Sequence, residues 1–131
     1  MPTNRTETRS ISIQAPPETV LDVVGDARAL PRWAPNFAET VRAEGDYWRV
    51  NDELLINLRV ERELGTVDIL RVERPPTGAY SRVMPNGDGS EYQFTLFFPD
   101  TADEAAIINQ MAVVEEELRT IRALCECQPT A

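Results

Sequence analysis

Any chemistry in this chain has to proceed without histidine or lysine: no His occurs, and all 13 basic residues are Arg. The commonest general base and the commonest zinc ligand are therefore missing. No lysine side chain is present to form a Schiff base. This inventory excludes Ser-His-Asp triads, His-based zinc hydrolysis and pyridoxal chemistry. Catalysis, if any, falls to Asp, Glu, Tyr, Cys, Arg or water. The two cysteines, Cys125 and Cys127, are too close in sequence to bridge, because their Cβ vectors do not face each other. They are also too few to hold zinc. They read as incidental thiols of a reduced, cytoplasmic protein. No metal site and no cofactor are expected.

The carboxylate with the most informative setting is Asp68. Leu54, Ile56, Leu58 and Val60 alternate with polar residues, as a strand with one buried face does. Over 66–73, Val67, Ile69, Arg71 and Glu73 share one face, and Asp68, Leu70 and Val72 the other. A three-residue loop, Glu63-Leu64-Gly65, puts glycine where a left-handed conformation is wanted. It pairs Arg62 with Thr66, Val60 with Asp68 and Leu58 with Leu70. On that register Asp68 points inward, with Arg62 as the nearest inward cation. Two readings stay open: a strand-end ion pair that does little, or a desolvated carboxylate that holds a ligand hydroxyl or acts as a general base. The Pro85–Ser90 loop is glycine-rich but precedes a strand, so it lacks the helix amides of a phosphate cradle and reads as a hairpin turn. The Glu115-Glu116-Glu117 run reads as a solvated helix face.

The elements that must position these groups follow from periodicity. Ile11 and Ile13 alternate with serines in a strand over 8–14. Pro17 suits the first turn of a short helix over 17–24, closed by Gly25-Asp26. A second short helix around 27–30 runs into an elbow held by Pro31 and Pro35. Strands follow near 39–44, 46–51, 54–62, 66–73, 79–84 and 91–98, separated by turn residues, so neighbours are antiparallel. Tyr92, Phe94, Leu96 and Phe98 share a face, with Phe97 turned the other way. Thr101-Ala102-Asp103-Glu104 has the form of a capping box. Ile107, Met111, Val114, Leu118, Ile121 and Cys125 then recur at spacings of four and three, one apolar stripe of a long helix. That stripe must lie on the sheet, the only large apolar face available.

The chain of 131 residues is one domain's worth, read as residues 1–131 with 1–7 and 128–131 as flexible tails. A net charge of −9 argues against nucleic acid and anionic membrane surfaces as partners. The first nine residues are polar and show no signal peptide, and no apolar run reaches membrane-spanning length.

The stretch Ser12-Ile13-Gln14-Ala15-Pro16-Pro17-Glu18-Thr19-Val20, leading to Asp26 and Leu30-Pro31-Arg32-Trp33-Ala34-Pro35, resembles the START-like, or SRPBCC, superfamily. So does Arg82-Val83-Met84-Pro85-Asn86-Gly87-Asp88-Gly89-Ser90-Glu91 running into Phe94-Thr95-Leu96. The superfamily includes birch-pollen-allergen-like and bacterial polyketide cyclase/dehydrase-like proteins, and the resemblance spans about residues 8–127. It implies an α+β helix-grip fold: a seven-stranded curved antiparallel sheet wrapped around a long C-terminal helix, with two short helices after the first strand. It also implies a cavity between sheet and helix, which members use for lipids, sterols, aromatic polyketides, hormones or quinones. The expected function is carrier-type, non-catalytic binding of a small hydrophobic or aromatic ligand, by a monomer or homodimer. The alternatives are a metal-free cyclase or dehydratase using a cavity carboxylate, with Asp68 as candidate, and a protein-interaction scaffold with a collapsed cavity. The expected lining is Trp33, Trp48, Ile56, Leu58, Val60, Asp68, Leu70, Tyr92, Phe94, Leu96, Ile107, Met111 and Val114. Each large apolar residue among them is also an ordinary core filler.

Overall fold

The computed structural model describes residues 3–127. Strand β1 (Arg5–Ile13) is followed by helix α1 (Pro17–Val24), one 3-10 turn (Ala27–Ala29) and the four-residue helix α2 (Leu30–Trp33). Six strands come next: β2 (Val41–Glu44), β3 (Tyr47–Val50), β4 (Leu54–Glu61), β5 (Thr66–Arg71), β6 (Gly78–Asn86) and β7 (Gly89–Phe98). Helix α3 (Glu104–Glu126) comes last. The strands form one antiparallel sheet in the order β1-β7-β6-β5-β4-β3-β2. Short hairpins keep β2 to β7 in sequence order, and β1 joins at the β7 edge. The sheet curves around α3, which is the helix-grip arrangement.

Local chemistry explains the elements before the sheet. Pro17 occupies the first turn of α1, where its missing N–H is no loss. Gly25 ends that helix, donating from its N–H to Leu21 O (2.8 Å). Asp26 caps the 3-10 turn by accepting from Arg28 N–H (3.0 Å). Pro31 lies in the first turn of α2, so the elbow keeps a helical turn up to Trp33.

Two ion pairs identify the inner face of the sheet. Arg9 Nε donates to Glu115 Oε1 (3.0 Å), and Arg5 pairs with Glu104, so alternate residues of β1 face α3. The register carries that face across the sheet: Arg9 lies opposite Phe94, Phe94 opposite Ser81, Ser81 opposite Val67, and Val67 opposite Val60. The α3 stripe lies against it, with Ile107, Met111, Val114, Leu118, Ile121 and Cys125 all buried.

Three expectations change. The β4–β5 loop has four residues, Arg62 to Gly65, and the register pairs Glu61 with Thr66, Val60 with Val67 and Arg59 with Asp68. Glu61 O accepts from the N–H groups of both Leu64 (3.1 Å) and Gly65 (2.8 Å), and Gly65 O accepts from Val83 N–H (2.7 Å). Gly65 has φ +75°, and a Cβ there would fall 2.2 Å from Val83 O. This one-residue slip turns every β5 side chain over: Val67 and Ile69 face α3, while Asp68 and Leu70 face outward. Residues 5–7, expected in a tail, belong to β1 and pair with residues 96–98; residues 1–2 and 128–131 lie outside the described part. No capping box forms at Thr101. The N-cap of α3 is Asp103, without a side-chain cap bond, and Ala102 N–H instead closes a turn onto Pro99 O (2.9 Å).

Candidate functional site: a cavity beside the C-terminal helix

A cavity of about 400 Å³ lies on the inner face, between the sheet, α2 and α3. The sheet contributes Ile56, Ile69, Ala79, Phe94 and Leu96, and the α2 segment contributes Leu30, Trp33, Ala34 and Phe37. The exposed lining residues Arg71, Thr77, Phe97 and Gln110 mark its mouth. The space exists because parts of its wall are small, at Ala34, Gly78 and Ala79, while α3 presents Gln110 and Glu117 there instead of large apolar side chains. Gln110 and Glu117 are two turns apart, about 10 Å along the helix.

Glu117 is the acid that lines the cavity. It is half-buried, and desolvation pushes its carboxyl up from an ordinary value of 4.5 to about 7. Among the described residues it makes no hydrogen bond or ion pair. Two further polar atoms in this interior lack partners: Trp33 Nε1 and Tyr92 Oη. Burial raises the Tyr92 hydroxyl well above its usual range, and the nearby Glu117 and Cys125 add to it. Ser81 Oγ itself donates to Val67 O (2.6 Å) and makes no hydrogen bond with Tyr92 Oη. Burial likewise pushes the Cys125 thiol up to about 11, away from the reactive thiolate.

The expected lining divides into groups. Trp33, Ile56, Phe94 and Leu96 border the cavity. Tyr92, Ile107, Met111 and Val114 are buried in the adjoining solid core, and Leu58 and Val60 pack half-buried against it. Trp48 is half-buried with the Arg28 guanidinium 4.8 Å above its ring. Asp68 and Leu70 are not in the site. Asp68 is on the outer face, bonded to Arg59 Nη2 (2.8 Å), while Arg62 turns to Asp22 (2.8 Å). The outward-facing Leu70 is only 3% exposed.

Sequence reasoning missed Leu30, Ala34, Phe37, Ile69, Arg71, Thr77, Gly78, Ala79, Phe97, Phe98, Gln110 and Glu117. Ile69 was lost with the slipped register. Glu117 carried a usable signal: it is three residues after Val114 and four before Ile121, so it flanks the apolar stripe instead of opposing it. Cys125 and Cys127 are free thiols, and no cluster of metal-ligating side chains occurs among the described residues.

A curved antiparallel sheet gripping a long helix, with an apolar cavity between them, defines a START-like helix-grip protein. The family profile described as polyketide cyclase / dehydrase and lipid transport matches residues 5–126, and the chain belongs to that family. No curated protein matches the sequence. Solved structures share the fold at low identity. Protein MLL2253 from Mesorhizobium loti superimposes with TM-score 0.72 at 14% identity, covering 96% of this chain and 100% of that one. The Aha1 dimer from Colwellia psychrerythraea gives 0.68 at 17%, covering 94% and 97%. XoxI from Bacillus cereus gives 0.67 at 18%, covering 90% and 93%. No helix among the described residues is long and apolar enough to cross a membrane.

Proposed function

We propose that the chain, as one domain, binds a small hydrophobic or aromatic molecule in the cavity between the sheet and α3, as a carrier-type protein without catalytic turnover. The observation that carries this reading is the cavity itself: about 400 Å³ of open space, walled by Leu30, Trp33, Phe37, Ile56, Phe94 and Leu96. A few hundred Å³ of apolar space with few polar groups is the ordinary form of a small-molecule site. Open space of this size supports the binding reading over a pure scaffold with a collapsed interior. The free thiols suit a reducing compartment, so we place the protein in the cytoplasm, as a monomer or a homodimer like the Colwellia protein. Native mass spectrometry of protein purified from its own host tests the reading. A stoichiometric adduct of small mass, lost on unfolding, is expected. Protein that stays free of adducts and binds no apolar probe would overturn it.

A second reading, a cyclase or dehydratase acting by proton transfer, is favoured by one observation. Glu117, not Asp68, is a cavity carboxyl poised near neutral pH.

A further inference from the structure

Glu115, Glu116 and Glu117 are consecutive, yet arginine neutralises only the first two. Glu115 accepts from Arg9 Nε (3.0 Å) and Glu116 from Arg119 Nη2 (2.6 Å). Glu117 lines the cavity among Trp33, Ile56, Phe94 and Leu96, and no described side chain answers it. A carboxyl in that position is costly in both states. Ionised, it has lost part of its water without gaining a cation; protonated, it keeps a donor and acceptors that no described protein group bonds. Packing does not require it, because its neighbours Val114, Leu118 and Ile121 already supply the buried stripe. In the same wall Trp33 Nε1–H has no acceptor among the described residues.

We propose that Glu117 is the specificity-determining group of the cavity and takes the hydroxyl of an otherwise apolar, aromatic-sized ligand. The inference rests on the cavity being a binding site. A hydroxyl both donates and accepts, so it satisfies the carboxyl whether protonated or ionised. A carbonyl meets only the protonated form. An ammonium would have to be stripped of water beside a group that burial already holds partly neutral. A wholly apolar ligand leaves the carboxyl unpaired, which is how buried polar groups discriminate against analogues that lack the matching group.

Three probes of one ring size separate these cases: 2-naphthol, 2-methylnaphthalene and 2-naphthylmethylamine, titrated at neutral pH. An apolar pocket without a polar anchor prefers the methyl compound, because water retains the hydroxyl. The expected order is instead 2-naphthol first, roughly tenfold tighter than 2-methylnaphthalene, with the Trp33 indole N–H resonance moving on binding. Trp48→Phe assigns that resonance. Glu117→Gln, which still donates and accepts, should keep the order, and Glu117→Leu should reverse it; thermal melts check that both variants fold. The wild-type order stands as evidence even if a variant does not fold. Tighter binding of 2-methylnaphthalene or of the amine to the wild type, or a naphthol preference that survives Glu117→Leu, would overturn the role of Glu117 and leave the cavity reading intact. Failure of all three probes to bind would overturn both.

Discussion

The two faces of the sheet treat an acidic side chain in opposite ways. On the outer face, Asp68 stands directly across from Arg59 and bonds to it at 2.8 Å. Inside, Glu117 stands in the cavity with no cation among the described residues, and its carboxyl rises to about 7. The outer pair is wet on the arginine side, so it contributes little and changes little when removed. The inner carboxyl has only its own proton with which to lower the cost of burial. The difference separates two acids: one that the fold has already matched with an arginine, and one that no described cation matches.

The contrast between inner and outer faces can be broken most directly at the α3 stripe. Leu118→Ala, at 3% exposure, should lower stability by about 2–5 kcal/mol in a urea melt. The same truncation at outward-facing Val72, which is 42% exposed, should cost no more than about 0.5 kcal/mol. Equal losses would mean that the stripe does not face the core. Gly65→Ala tests the hairpin that fixes which face is which. A Cβ there meets Val83 O at a φ of +75°, so a loss of about 1–3 kcal/mol is expected. No loss would show that the four-residue loop is wrong.

A pH series sharpens the comparison next. Glu117 holds its proton up to about 7 when folded and to about 4.5 when unfolded. Between those values the folded state binds more protons, so this group's contribution is full below the unfolded value. It falls as pH rises through the folded one and is level above it. A decline of about 1–2 kcal/mol is expected, with the exposed part of the carboxyl screened by water. Glu117→Gln should lack it. Glu7 and Glu44, held below their ordinary range by Arg5 and Arg49, act at lower pH and with the opposite sign. A stability curve over that window that is the same in wild type and Glu117→Gln would contradict the burial of Glu117. The smallest effect belongs to Asp68→Asn: at most about 1 kcal/mol in a thermal melt, with probe binding unchanged. Weakened binding would restore Asp68 to the site.

Much of the fold was legible because each element carried its own period. The α3 stripe is buried at every position its spacing named, and Tyr92 and Phe94 face inward with Phe97 half-exposed outside. The β5 face was not legible locally. Val67-Ile69 and Leu70-Val72 are equally apolar pairs on opposite faces, and the four-residue loop is held in part by a bond from a third strand, Val83 N–H to Gly65 O, that local patterning does not show. The cavity was half legible for a related reason. Large apolar residues announce a wall, whereas the space depends on small ones, Ala34, Gly78 and Ala79, that carry no periodic signal. Glu117 was hidden by its neighbours: three consecutive glutamates look alike until the helix phase separates the two that reach arginine from the one that does not.

The most direct test of the account is to fill the cavity without disturbing the core around it. Ala79 is a small buried residue in the cavity wall, on a central strand. Ala79→Phe should occupy the space. The measurement is the dissociation constant of N-phenyl-1-naphthylamine, read by its fluorescence, for wild type and Ala79→Phe, with a thermal melt of each. Saturable one-to-one binding by the wild type, lost in a variant that still melts cooperatively, is the predicted result. Equal affinity in both proteins would place the probe elsewhere and contradict the claim that this cavity is the binding site.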